Sequence, residues 1–219
     1  YGDFVPFAVN IAAEEASDAL RPYLGIAERL GSFFSGLVSE LPSEIEVKVA
    51  GEIGGYDTKI LILSTLRGIL DKSCDGPVTF VNAFQRAEEL GIVVNDSSAR
   101  DAGEFRNLIE VRGGSHAVAG TLVRSANEPR IVMIDDHSVE VPLANHILVI
   151  RNDDLPGMIG TVGTILGKAD VNISFMGLGR DGAGDHALMA LASDHSIAEE
   201  TLETLRSENG IQSASVVEL

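Results

Sequence analysis

The chain has 219 residues, 45% of them hydrophobic, with 23 glycines and no tryptophan. That is the make-up of one large or two modest mixed α/β domains, not of a disordered polymer. The formal net charge of −17 is shared by both halves, which excludes the basic footprint of a nucleic-acid binder. No apolar run approaches the roughly 20 residues that cross a bilayer, and one cysteine, Cys74, leaves no intramolecular disulfide, so a reducing cytoplasm is the expected setting.

Residues 1–13 read as a connector. They start at Tyr1 in a passage that looks mid-structure, so the chain is expected to be a piece of a longer protein. From Glu14 to Leu41, Ala16, Leu20, Leu24, Ala27, Leu30, Phe34, Leu37 and Leu41 recur in steps of three and four, the mark of one helical face. Pro22 and Gly31 are expected to divide or bend this helix, and Pro42 to stop it. Ile45-Glu-Val-Lys-Val49 alternates apolar and charged residues as a half-exposed strand does. Thr58 to Leu70 is apolar on several sides and long enough for a buried helix. Val78-Thr-Phe-Val81 reads as a strand and Asn82 to Leu90 as a short helix, with Gly91 in the C-cap position. Phe105 to Val111 and His116 to Val123 flank paired glycines and predict a hairpin. Arg130 to Ile134 and Ser138 to Val141, around Asp135-Asp-His137, predict another. Residues 14–142 therefore read as an α+β domain with helices on an antiparallel sheet.

Residues 143–219 read as a second domain. His146 to Arg151 is its first strand. A helix follows Gly157, with Met158, Ile159, Val162, Ile165, Leu166 and Ala169 on one stripe and Gly160, Gly163 and Gly167 on another side. Glycine costs about 1 kcal/mol against alanine in a helix, so the close approach of another backbone is the expected reason for three. Asp170 to Phe175 gives a second strand. Asp181-Gly-Ala-Gly-Asp185 turns into a third, Ala187 to Ala192. Ser196-Ile-Ala-Glu199 has the pattern of a capping box ahead of a second helix, and Ile211 to Val217 closes the unit. The order β-α-β-β-α-β is ferredoxin-like, and its edge strands are open to pairing.

The turn after the first of these strands carries the chemistry. Asp153 and Asp154 sit beside a helix start, where backbone N–H groups have no partner within the helix and the dipole ends positive. Carboxylates next to free amide donors can hold both ends of a small zwitterion. Either aspartate could instead serve only as a helix cap.

Leu155-Pro-Gly157, Gly160-Thr-Val-Gly-Thr-Ile-Leu-Gly167 and Asp170-Val-Asn-Ile173 resemble an ACT domain, in particular the one closing the D-3-phosphoglycerate dehydrogenase family. Phe4-Val-Pro-Phe-Ala-Val-Asn10, Thr79-Phe-Val-Asn-Ala83 and Ala119-Gly-Thr-Leu122 resemble the intervening, allosteric substrate-binding domain of its long form. The likeness covers nearly the whole chain. It implies a regulatory segment of an NAD-dependent enzyme of L-serine biosynthesis, whose catalytic residues and NAD loop lie upstream. No G-x-G-x-x-G follows a strand here, so neither catalytic residues nor a cofactor are expected in this segment.

By this resemblance L-serine is the effector and binds where two ACT domains pair, so self-association is implied. Asp154 would hold its ammonium, a charge-assisted bond, while Asp153 remains a cap. Asn172 would reach in from the other subunit. The backbone of Gly157 to Gly160 would receive the carboxylate, and Pro156, Met158 and Ile159 would line the site. Asn152 stands where relatives often carry histidine or tyrosine. Arg130 and His137 fall where long-form relatives gather basic residues, a candidate anion site.

Two other readings are carried. A subunit like the β part of iron–sulfur L-serine dehydratase shares the two-domain plan, but a lone Cys74 cannot hold a cluster. A ligand-free ACT assembly module needs only the sheet edge. The histidines at 116, 137, 146, 186 and 195 show no i, i+4 pair, so no metal is expected, and neither nucleic acid nor membrane is an expected partner.

Overall fold

The computed structural model describes residues 18–123, 127–180 and 186–219. The connector, the Phe4 to Asn10 motif, Glu14 to Ser17 and the turn Asp181–Asp185 lie outside them. The protein is α+β, and its backbone divides into two compact units at Pro129 and Arg130. That division falls ahead of Pro142, because the second predicted hairpin packs with the later residues.

In the first unit, a 3-10 turn at Arg21–Tyr23 leads into α1, Leu24–Leu37. Pro22 therefore opens this helix rather than dividing it, consistent with proline at a position whose N–H needs no helical partner. The helix ends at Leu37, four residues short of Leu41. Gly31 does not divide it. A Cβ at Gly31 would lie 2.1 Å from the Thr65 carbonyl oxygen, and one at Gly68 would lie 1.8 Å from that of Glu28. The two glycines let α1 cross α2, Lys59–Leu70, with backbones nearly touching. Helix α2 is buried almost all round, as its apolar sequence requires.

Strand β1, Glu44–Gly51, alternates exposed and buried residues as expected. Val78-Thr-Phe-Val81 is not a strand. Thr79 N–H donates to Asn82 Oδ1 at 2.6 Å, a local turn that starts α3, Ala83–Glu89. Gly91 takes φ +71° after that helix, the left-handed cap conformation. Strand β2, Val93–Ala99, pairs parallel with β1, so the sheet is mixed rather than purely antiparallel. Strands β3, Asn107–Gly113, and β4, His116–Val123, form the predicted hairpin, giving the order β2-β1-β3-β4.

The second unit begins at Arg130, within β5, Glu128–Ile134, which forms a hairpin with β6, His137–Pro142, turned at Asp135 and Asp136, both with positive φ. Next come β7, His146–Asp153; α4, Met158–Lys168; β8, Ile173–Arg180; β9, His186–Ser193; α5, Glu199–Ser207; and β10, Ile211–Glu218. The sheet order β10-β7-β9-β8 is antiparallel throughout and ferredoxin-like. Strand β8 starts three residues after Asp170, which has φ +57° and ends the turn out of α4. The capping box does not form. Ala198 is the N-cap, and the Ser196 hydroxyl donates to the Glu218 carboxylate instead.

Alternation gives this sheet two different faces. Leu148, Ile150, Met189, Leu191 and Met176 pack with Val162, Leu166, Leu202 and Leu205 of the helices. The odd-numbered residues of β7 and β8 meet the hairpin. Cβ atoms at Gly177 and Gly179 would lie 2.4 Å from Glu140 O and 2.7 Å from Ser138 O. Arg151 pairs with Asp135, and the Arg130 guanidinium stands 5.3 Å from the Phe175 ring centre. No helix among the described residues is long and apolar enough to cross a membrane.

Candidate functional site

The helix-side face of the second sheet runs out where β7 ends and α4 begins. Leu155 and Pro156 carry the chain across this end, and Gly157 turns it into α4 with φ +97°. L-residues other than glycine rarely adopt that angle. The helix core-facing stripe is Met158, Val162 and Leu166. Ile159, placed on that stripe by the sequence reading, is 49% exposed, because a position one residue on from Met158 is rotated by about 100°. No side chain caps the helix; the Met158 N–H donates to Leu155 O at 3.4 Å and the Thr161 N–H to Gly157 O at 3.0 Å, which leaves the N–H groups of Ile159 and Gly160 as the first-turn donors.

These elements enclose a pocket of about 290 Å³ lined by Asn152, Asp154, Leu155, Pro156, Gly157, Met158, Ile159, Leu178, Arg180, Ala187 and Met189. Period-two alternation puts Asn152 and Asp154 on the face of Leu148 and Ile150, and Leu178 and Arg180 on the face of Met176. The floor is apolar (Met158, Met189). The mouth is polar.

Three polar groups set its chemistry. Asn152 is 1% exposed; its Nδ2 donates to Asp153 O at 2.7 Å, while its Oδ1 is buried with no hydrogen-bond partner. A buried acceptor left unsatisfied costs on the order of 1–3 kcal/mol. Asp154 Oδ2 lies 2.8 Å from Arg180 Nε, with the arginine side chain 74% exposed and the aspartate 25%. The α4 N-terminus adds N–H donors with positive potential.

Six of the predicted ligand contacts thus share one pocket: Asn152, Asp154, Pro156, Gly157, Met158 and Ile159. Gly160 lies one step along the helix, outside the lining. Asn172 lies just before β8, exposed, and donates to Asp194 Oδ2 at 2.6 Å. It is outside the pocket of its own chain. Asp153 does not cap α4. Its Oδ1 accepts from Gln212 Nε2 at 2.9 Å and lies 3.5 Å from His186 Nδ1. A Cβ at Gly160, Gly163 or Gly167 would find no atom within 4 Å among the described residues, the adjoining backbone of its own helix aside.

Arg130 and His137 are not brought together. In the β5–β6 register Arg130 faces Pro142 while His137 faces Ile134, so four strand steps, roughly 13 Å, separate them. Arg130 approaches Glu140 at 3.9 Å, and His137 Nδ1 contacts the Asp135 carbonyl at 2.9 Å. Burial pushes the Cys74 thiol up from its usual range, the opposite of a reactive thiolate. Among the described residues no cluster of three or more His, Cys, Asp or Glu side chains could hold a metal. The sequence reading missed Leu155, Leu178, Arg180, Ala187 and Met189. Alternation along β8 pairs Leu178 with Arg180, but only the sheet order reveals that this end of β8 lies near Asp154.

Residues 19–135 match the family described as D-3-phosphoglycerate dehydrogenase intervening domain, and residues 146–210 match the ACT domain. The chain is 34% identical over 201 residues to the D-3-phosphoglycerate dehydrogenase of Mycobacterium leprae, covering 90% of this chain and 38% of that protein. It is 33% identical over 219 residues to that of Synechocystis, covering 97% and 39%. It is 28% identical over 218 residues to that of Bacillus subtilis, covering 97% and 41%. The chain thus spans about two fifths of the length of these relatives.

Proposed function

Because this chain belongs to the D-3-phosphoglycerate dehydrogenase intervening-domain family and carries an ACT domain after it, we propose that it is the amino-acid-sensing, self-associating regulatory part of an NAD-dependent D-3-phosphoglycerate dehydrogenase. L-serine is the effector, the product-side signal of the pathway the parent opens. The parent, not this segment, binds NAD and works in the cytoplasm.

One observation carries the reading: Asn152, whose buried Oδ1 has no hydrogen-bond partner, lines one pocket with Asp154 and the start of α4, which no side chain caps. Two acceptors and a set of N–H donors around an apolar floor fit the ammonium, carboxylate and short side chain of an α-amino acid. In this reading Asn172 serves the pocket of a second copy, and ligand favours one arrangement of subunits by its differential affinity.

Calorimetry of this chain with L-serine tests it. Saturable heat is expected, with affinity at least about tenfold weaker in Asp154→Asn, the loss of one charge-assisted bond. A flat titration at millimolar serine, with dimers intact in ultracentrifugation, overturns sensing. It would favour the ligand-free assembly module, a reading supported by the way Asp154 already pairs with Arg180. For the parent, NADH formation from 3-phosphoglycerate, slowed by serine, is the corresponding measurement.

A further inference from the structure

The pocket contains one cation as well as one anion, and the two are joined. Asp154 cannot give its full charge to a ligand ammonium while Arg180 Nε sits 2.8 Å from its Oδ2. A ligand with a single charge would have to break this pair and leave one member unmatched. A zwitterion need not. Its ammonium can replace Arg180 at Asp154, and its carboxylate can replace Asp154 at Arg180, so the count of ion pairs rises from one to two without a net change of charge.

The geometry points to Arg180 as the carboxylate anchor of the site: on binding, its guanidinium exchanges Asp154 for the carboxylate of a free α-amino acid. This rests on the sensing reading above and assigns a residue to it. Three observations and one general property of arginine support it. Arg180 and Asp154 both line the pocket. The arginine is 74% exposed and the aspartate 25%, so the guanidinium can swing while the carboxylate stays. Asn152, whose buried Oδ1 has no hydrogen-bond partner, lines the same pocket. The guanidinium fork matches a carboxylate bidentately, which a lysine cannot do. The α4 N–H donors remain for the carboxylate oxygen that Arg180 does not cover.

The exchange makes the ion pair a filter against singly charged analogues. Ethanolamine leaves Arg180 without its anion, and 3-hydroxypropionate leaves Asp154 without its cation. Discrimination then comes from the unmatched charge as much as from lost contacts.

Calorimetry on wild type, R180Q and R180K, with L-serine, ethanolamine and 3-hydroxypropionate as probes, decides the matter. Because Arg180 is exposed, both variants are expected to keep the wild-type circular dichroism and melting temperature. If Arg180 anchors the carboxylate, R180Q weakens L-serine at least about tenfold, the loss of a charge-assisted bond. R180K then falls between R180Q and wild type, and wild type prefers L-serine to either analogue by a similar factor. If Arg180 only blocks Asp154, R180Q binds L-serine as well as wild type or more tightly, and the assignment is wrong while sensing stands. If wild type gives no heat with L-serine, sensing itself fails and the assignment falls with it.

Discussion

Helical glycines serve opposite ends in the two units. In the first, Gly31 and Gly68 are jammed against the backbone of the facing helix, with hypothetical Cβ atoms 2.1 and 1.8 Å from carbonyl oxygens. In the second, Gly160, Gly163 and Gly167 of α4 face open space. Both sets carry the same propensity penalty of about 1 kcal/mol each. The first pair recovers it within the chain, because close backbones gain the packing of two long apolar helices. The second set meets no such neighbour among the described residues. A glycine in a helix thus signals a cost but not where the compensation lies, and only the distance to neighbouring atoms separates the two cases.

The sharpest way to break this contrast is Gly68→Ala. With a carbonyl oxygen 1.8 Å from the new methyl, α1 and α2 must separate, and a loss of about 3 kcal/mol or more is expected from overpacking, read as a lower urea midpoint. Gly177→Ala comes next. It lies in the second unit but on the crowded hairpin face, 2.4 Å from Glu140 O, and a loss of about 2 kcal/mol is expected. A neutral result would show that the hairpin yields and that its seam with β8 is loose. Gly163→Ala should have the opposite sign. With no atom within 4 Å, it is expected to stabilise the dilute chain by up to about 1 kcal/mol. The same change weakening self-association in ultracentrifugation would locate the missing neighbour in a second copy. The smallest effect concerns Cys74. Its thiol is pushed up by burial, with Arg86 opposing and Glu89, Asp75 and Asp71 adding to the rise. Alkylation by iodoacetamide at pH 8 is therefore expected to be slower than for free cysteine and to speed up as pH rises.

Much of this was legible in the residues. The alternation of Ile45 to Val49, the apolar density of Thr58 to Leu70, the Gly91 cap and the order of elements after His146 all read correctly, because each depends on local periodicity or on one residue's backbone preference. Four readings failed, two to a competing local rule and two to a residue distant in sequence. Val78 to Val81 has strand composition, but Asn82 turns it into a helix start. Ser196 has the sequence of a cap, but Glu218 of β10 takes its hydroxyl. Asp153 stands beside a helix start, yet Gln212 and His186 claim its carboxylate. Ile159 belongs to an apolar series, yet it falls off the edge of the buried arc.

The site divides in the same way. Asn152, Asp154 and Pro156 to Ile159 are contiguous, so a motif can assemble them. Arg180 is 26 positions from Asp154 in the chain, and nothing in its own surroundings marks it. Strand β8 reaches the turn only because β9 intervenes between it and β7 and the sheet order is β10-β7-β9-β8. Short-range pattern therefore determined the elements, their faces and the acidic turn, since hydrophobic periodicity and glycine geometry act within a few residues. The tertiary structure alone decided that a distant arginine faces that turn, that an asparagine oxygen beside it is buried without a partner, and which glycines are already in use. Those depend on which strand ends converge, and that is settled by burial of the whole sheet rather than by any one segment.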